Sequence, residues 1–531
     1  MPHVLLRRPL HSSKWHNALP ARAVALPRPF LGSAVRPLNV RSSTTPKLAR
    51  SGITGCSGSG AGSTDSSDSI GFGVSGVNAG ATSTSRLRGL VPHGIMGSMA
   101  RFLLSAMPFT GHINPIRAMA SALVARGHDV RVYSGEAFRT AVESTGARLV
   151  PWHHAPDFDE SDLAATFPRL RGRKGLSQLL INVEDVFINT SAAQVQDLRD
   201  EWVREPWDAI AGDDVSTGAA LYAEQNGGPW ATISITPLNL AGTQGPPAGL
   251  GLWPGTNAFT KTRDAALRGA APLIARSLVK AIARSEETIG LRPRGLTMEE
   301  VTFSRQLIVA SGSSLLDFKR TDRPDFLHFV GELRMPPQAS HTLPAWWSEL
   351  EGRRVIHVTQ GTLNIDPADL IAPTLEALAD CADSLVVVAT GVTGDDELPF
   401  PVPPNTRVAG FLPYAELLPR VDVAVTNGGW GGTLAMLAHD IPLVIAGGDL
   451  DKPEIASRVA WTGAAVNLKT GTPTAAQVAA GLDRVATDTS YRDAASRVGA
   501  QLRSLGGAAR AAELLEQLAQ PANQSTLQQG D

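Results

Sequence analysis

A histidine, a pair of aspartates and a glycine-rich turn stand where strands run into helices, and their types and spacing allow chemistry. His112 lies in the stretch Met107-Pro-Phe-Thr-Gly-His-Ile-Asn114, directly after a short apolar strand. Imidazole titrates near neutral pH, so a histidine at such a place can take a proton from a hydroxyl; loop histidines more often serve as structural hydrogen-bonders. A base histidine works best when a carboxylate fixes its tautomer and stabilises the imidazolium. Trp207-Asp-Ala-Ile-Ala-Gly-Asp213-Asp214 offers two, at the carboxyl end of a short strand; the commoner use of such acids is to cap the helix that follows. Farther on, Asn427-Gly428-Gly429-Trp430-Gly431-Gly432-Thr433 joins a strand to an apolar helix. Glycines at a helix start let an anion approach the backbone, where free N–H groups and the positive end of the dipole hold phosphate. The spacing is neither a Walker A motif nor GxGxxG, and tight packing would use the same residues. Gln360-Gly361-Thr362 ends an earlier strand and can add an N–H and a hydroxyl, and Asp449-Leu-Asp451-Lys452 follows a later one.

These residues need a scaffold, and the pattern from Arg101 onward supplies it. Arg101–Ala106 reads as a strand, and Asn114 and Pro115 read as the cap and first residue of a helix. Ile116, Met119, Ala120, Leu123 and Val124 follow the spacing of a helix buried on one face. Gly127 closes that helix before a strand at Asp129–Ser134, and strand–helix–strand in so short a span requires a parallel sheet. A second series has strands at Val355–Thr359, Ser384–Ala389, Thr406–Phe411, Val421–Thr426, Pro442–Ala446 and Ala464–Leu468, with helices between. Thr474 and Gln477 form a capping box before a further helix. The expectation is an α/β protein with two doubly wound Rossmann-like domains facing across a cleft, at 99–330 and 345–490. A Pro-containing linker at 331–344 joins them, a helical tail covers 491–520, and 521–531 is disordered.

Residues 1–98 differ from the rest. Arg and Ser are scattered through them, no acidic residue precedes Asp65, and a Gly/Ser/Thr tract follows. They read as a disordered leader, an early false start before Met96 and Met99, or an organellar transit segment. A chain of 531 residues with 43% hydrophobic content has room for large cores, and a net charge of −2 gives no reason to expect nucleic acid as partner. Two cysteines are too few for a disulfide framework, and the apolar runs fall well short of the roughly 18 residues of a membrane span. The expected location is cytoplasmic, or organellar if the leader is a transit segment.

Taken together, the residues from Arg101 to Ala519 resemble the nucleotide-sugar-dependent (UDP-) glycosyltransferase superfamily of GT-B fold, which includes macrolide, plant and sterol glycosyltransferases. The Gly-His-Ile-Asn-Pro motif at 111–115 resembles the family's acceptor-activating loop, which implies that His112 is the catalytic base and Asp213 its acid partner, with Asp214 as the fallback. Phe411-Leu-Pro-Tyr414, Thr426–Thr433, Ile441-Pro442 and Asp451-Lys452 follow the donor-binding signature in order. The resemblance implies donor contacts from Gly361, Thr362, Phe411, Asn427, Gly428, Gly429, Trp430, Gly431, Gly432, Thr433, Asp451 and Lys452. Four positions depart from the pattern. Asn427 replaces the usual phosphate-contacting histidine, Phe411 the base-stacking Trp, Ala435 a ribose-binding acid, and Lys452 the Gln that holds sugar hydroxyls. The expected function is inverting transfer of a sugar, glucose from UDP-glucose first and a dTDP- or deoxy-sugar otherwise, to a hydroxyl of a hydrophobic small molecule. Phe167, Leu179, Leu180, Phe187 and Trp253 are candidates for the acceptor side. Neither a metal nor a resident cofactor is expected. The alternatives are a non-catalytic nucleotide-sugar binder or partner subunit, favoured by the altered donor positions, and a nucleotide-sugar epimerase on the same two-domain plan.

Overall fold

The computed structural model describes residues 99–520, apart from 174, 337–342, 362–365, 392–393 and 395. The leader at 1–98, the tail at 521–531, Thr362 and part of the 331–344 linker lie outside the described residues. Everything described belongs to one compact unit. No helix in it is long and apolar enough to cross a membrane.

Thirteen strands are described, in two all-parallel sheets. The first has β1 (Arg101–Ser105), β2 (Asp129–Ser134), β3 (Arg148–Pro151), β4 (Ala209–Asp213), β5 (Trp230–Ser234), β6 (Leu307–Ser311) and β7 (Leu327–Gly331), in the order 3-2-1-4-5-6-7. The second has β8 (Arg354–Thr359), β9 (Ser384–Ala389), β10 (Thr406–Ala409), β11 (Val423–Thr426), β12 (Leu443–Ile445) and β13 (Ala465–Asn467), in the order 10-9-8-11-12-13. Parallel strands are covered by helices on both faces, so they carry near-continuous apolar runs. β9, Ser-Leu-Val-Val-Val-Ala, is buried at every position, which is why its bounds follow directly from the sequence.

In each sheet the chain order reverses at one place, between β1 and β4 and between β8 and β11. Loops leaving the carboxyl ends of such a pair diverge to opposite faces and open a crevice, the usual ligand site of an open α/β sheet. The histidine and aspartate segments follow β1 and β4, and the glutamine–glycine and glycine-rich turns follow β8 and β11.

The stretch at 491–520 is two helices, Ser490–Ser504 and Gly507–Ala519, broken where Gly506 takes a left-handed φ of 86°. The first packs on the second domain; Ala494, Ala495, Val498 and Leu502 join its core. The second crosses back, and Ala511, Ala512, Leu514, Leu515 and Leu518 join the core beneath β1 and the helix Thr110–Ala125. Gly331 lets the two parts approach: its φ is 85°, and a Cβ there would lie 2.4 Å from the Leu502 carbonyl oxygen. Gly331→Ala is expected to lower stability by at least about 1–2 kcal/mol from backbone strain alone. A lower urea midpoint at constant m-value would register this.

Candidate active site

The helix after β1 begins at Thr110, with Phe109 extended as its cap residue, and not at the expected Asn114–Pro115 pair. The reason lies far away in sequence. Glu160 accepts the Thr110 N–H at 2.9 Å and also bonds the Thr110 hydroxyl, filling the acceptor role a local side chain would otherwise play. Pro115 is therefore inside the helix, opposite the carbonyl of Gly111, around which a Cβ would meet nothing. His112 consequently sits in the rigid first turn of a helix rather than in a loop.

His112 Nδ1 donates to Asp213 Oδ2 at 3.0 Å, which leaves Nε2 as the lone-pair nitrogen of the neutral ring. Asp213 closes β4, is fully buried and is saturated with donors. Its Oδ2 also accepts the Met107 N–H at 2.8 Å; its Oδ1 accepts from Val215 N at 3.1 Å and Ser216 Oγ at 3.0 Å. The carboxylate thus ties the β1 loop to the β4 loop across the switch point and presents one oxygen to the imidazole. Burial pulls the His112 pKa down, but the Asp213 charge and hydrogen bond, with Asp214 and Asp451 adding, outweigh it and leave it above the ordinary 6.5. Phe109 and Phe187 hold the ring at centroid distances of 5.4 and 6.2 Å. Phe187 is carried on a π-helical turn, Val183–Ile188, a local widening that sequence periodicity does not announce.

Asp214 has a different environment. Its Oδ2 accepts from Thr236 Oγ1 at 2.7 Å and Ser234 Oγ at 3.0 Å, while Oδ1 is buried without a partner. Burial raises its pKa, with the neighbouring Asp213 charge contributing. It does not reach His112 by a hydrogen bond among the described residues, so Asp213 is the partner.

On the second sheet, β11 runs into Asn427–Gly429 and the helix Trp430–Ala438. Gly428 has a φ of 90°, and its Cα packs where a Cβ would come within 2.9 Å of Ile445 Cγ2. The N–H groups of Trp430, Gly431 and Gly432 fall in the first turn, where no preceding helical carbonyl serves them, and the Thr433 hydroxyl is buried without a partner. Two of the expected contacts are committed elsewhere. Asn427 Nδ2 bonds the Gln360 carbonyl and its Oδ1 accepts the Gly429 N–H at 3.2 Å, so this side chain pins the β8 loop to the β11 loop. The Trp430 ring is buried, and its Nε1 donates to Ser311 Oγ at 2.9 Å, at the end of β6 in the other sheet. Gly361, with a φ of 79°, lies beside Asn427. Phe411 is 61% exposed just beyond β10 and leaves a free aromatic face. Asp451 and Lys452 begin the helix Lys452–Thr462, and Asp451 is near enough to His112 for the two charges to interact. Among the described residues no group of three or more His, Cys, Asp or Glu is placed to hold a metal ion.

On the acceptor side, Phe187 lies against His112, whereas Phe167 packs inside a core cluster. Leu179 and Leu180 are half-buried on the helix Gly175–Asn182. Trp253 is not on that side at all. It is half-exposed against the 452–462 helix, its Nε1 donating to Ser457 O at 3.1 Å.

Two parallel α/β domains thus place a histidine–aspartate pair at one switch point and a helix start with free N–H groups at the other. Residues 373–518 match the family model of the Erythromycin biosynthesis protein CIII-like, C-terminal domain. The chain is 38% identical over 373 residues to 4'-demethylrebeccamycin synthase of Lentzea aerocolonigenes, covering 70% of this chain and 88% of that protein. It is 30% identical over 443 residues to UDP-glucosyltransferase A1 of Starmerella bombicola, covering 78% and 92%. The solved structure of CalG4, the calicheamicin glycosyltransferase, shares the fold with a TM-score of 0.61 at 19% identity, over 79% of this chain and 98% of that one. The chain belongs to the UDP-glycosyltransferase superfamily and is an enzyme that transfers a sugar from a nucleotide-sugar donor to an acceptor. The binder and epimerase readings are thereby set aside.

Proposed function

We propose that the protein is an inverting transferase that moves glucose from UDP-glucose onto a hydroxyl of a hydrophobic small molecule, with His112 as base. The observation that carries this reading is the 3.0 Å His112–Asp213 bond, because it turns Nε2 outward as a proton acceptor and stabilises the imidazolium that forms. The acceptor hydroxyl lies between Nε2 and the anomeric carbon. As its oxygen attacks from the face opposite the nucleotide, the proton passes to Nε2, the C–O bond to the β-phosphate breaks, and the configuration inverts. Negative charge grows on the leaving diphosphate. The first-turn N–H groups of 430–432, the otherwise unpaired Thr433 hydroxyl and the helix dipole stabilise it, so the step needs neither a metal nor a resident cofactor. The base stacks on Phe411, Gly361 and Gly428 bring the backbone close to the phosphates, and Asp451 and Lys452 meet the sugar. Phe109 and Phe187 give the acceptor an apolar wall beside His112.

Support for UDP-glucose comes from the name of the S. bombicola relative; the Ala435 and Lys452 substitutions keep a dTDP- or deoxy-sugar as the second donor to try. The test is nucleotide release from UDP- and dTDP-sugars in the presence of phenolic, polyketide, sterol and hydroxy-lipid acceptors, with proton NMR of the product. Acceptor-dependent release giving a β-glucoside from α-linked UDP-glucose, unchanged by chelator, is the expected result. A retained anomeric configuration would overturn the single-displacement mechanism.

A further inference from the structure

The 452–462 helix carries the two residues expected to meet the donor sugar on its first turn, and one face of it is anchored in the opposite domain. Arg458 is 4% exposed and sits at the centre of a buried charged group. Its Nε donates to Glu454 Oε1 at 2.8 Å, one turn earlier on the same helix. Its two terminal nitrogens cross between the domains, to Asp317 Oδ1 at 3.2 Å and the Leu238 carbonyl at 2.9 Å, and the guanidinium lies 5.3 Å from the Phe318 ring centroid. Arg323 bonds the other oxygen of Asp317 at 2.9 Å. Glu454 reaches across as well, its Oε2 accepting the Gly251 N–H at 2.8 Å. Trp253, two residues on, donates to Ser457 O and packs edge-on against Trp461 at 5.3 Å. Loop 238–253 is therefore held at both ends by one helix, Leu238 by Arg458 and Gly251 and Trp253 by Glu454 and Ser457.

A buried ion pair of this kind is a poor source of net stability against an apolar alternative, but it fixes geometry, since each member has one set of partners that avoids an unpaired charge. Glu454 is itself in the first turn of the helix, so any shift of the loop is passed to Asp451 and Lys452. We propose that Arg458 and Glu454 are positioning residues for sugar transfer, clamping the donor-sugar turn to loop 238–253 of the opposite domain so that the two move as one piece. The inference rests on the assignment of Asp451 and Lys452 to the donor sugar.

The test uses the full chain with Arg458→Gln, Arg458→Lys and Trp253→Phe, the last keeping the ring against Trp461 while removing one crossing bond. Hydrogen exchange of the 241–255 peptide, with UDP-glucose and with UDP but no acceptor, needs no turnover. UDP-glucose, which brings the sugar to Asp451 and Lys452, slows that exchange beyond any effect of UDP in the wild type and not in Arg458→Gln, while UDP affinity itself stays within about twofold because the nucleotide contacts lie elsewhere. With a productive donor and acceptor, kcat falls about 10²-fold in Arg458→Gln, as for a misplacement of about 1 Å, and more nucleotide is released per sugar transferred. Arg458→Lys recovers part of both losses, and Trp253→Phe moves them the same way by less. Equal exchange in wild type and Arg458→Gln, or an unchanged ratio of transfer to release, overturns the clamp. A wild type that binds UDP but transfers no sugar refutes the functional reading, and the exchange data still decide the clamp.

Discussion

His112→Ala is expected to lower kcat by about 10²–10⁴-fold while leaving the KM for the nucleotide sugar nearly unchanged. The variant removes the proposed proton acceptor and leaves the proposed donor contacts in place: the ring packs on Phe109 and Phe187 in the first domain, whereas the glycine-rich turn belongs to the second. Asp213→Asn should fall in the same range with the ring still in place, because the amide cannot stabilise the imidazolium and can present the wrong hydrogen-bonding group to Nδ1. The pH profile gives the sign. Proton transfer needs the neutral ring, and the pKa of His112 lies above 6.5, so kcat/KM rises with pH through that elevated value. Asp214→Asn removes one of the charges that raise it and should move the acidic limb to lower pH. Stability runs the other way. The raised pKa contributes stability fully below the unfolded value and loses it as pH climbs through the folded one. On the proposed mechanism, activity is therefore expected to be highest where this ion pair stabilises the fold least. A kcat that survives His112→Ala would remove histidine from the mechanism, and an acidic limb that stays in place in Asp214→Asn would show that the Asp214 charge does not set it.

The second large effect is on folding. Trp430→Ala should cost about 3–5 kcal/mol, the usual range for truncating a large buried aromatic. Trp430 is both the first residue of the helix Trp430–Ala438 and a wedge into the other domain, where Gly312 is so near that a Cβ would come within 2.8 Å of its Cζ2. Trp430→Phe keeps most of that volume and loses the bond to Ser311, so it should cost only about 0.5–1.5 kcal/mol. Denaturant midpoints of the two variants separate these contributions, and equal midpoints would show that the wedge carries no weight. Because the same residue sets the start of the helix, nucleotide affinity should fall in Trp430→Ala more than in Trp430→Phe.

Much of the fold was legible in the sequence because parallel strands buried on both faces leave near-continuous apolar runs, as at 384–389. The meeting of His112 with Asp213 could be anticipated because their segments leave the carboxyl ends of the neighbouring strands β1 and β4. What could not be read was set by contacts distant in sequence. The cap of the 110–125 helix comes from Glu160, so the local Asn-Pro pair pointed five residues too late. Asn427 and Trp430 fit a donor signature as letters, yet their side chains are turned to joining loops and domains. Trp253, apolar and in a Gly/Pro-rich loop, looked like an acceptor contact but reaches the donor-side helix. The break at Gly506 did have a signal, since two adjacent glycines inside a helical stretch favour a left-handed turn.

The helix at 507–519 has a consequence for how the molecule is made. Synthesis proceeds from the first sheet to the second, yet the five apolar residues that finish the first domain's core are near the end of the chain. Until they leave the ribosome, the opening half is a sheet with part of one greasy face uncovered, waiting through the production of the entire second half. A ribosome stalled after residue 504, or a gene cut there, leaves both halves present and the older one unfinished, without the 13-residue helix that closes its core.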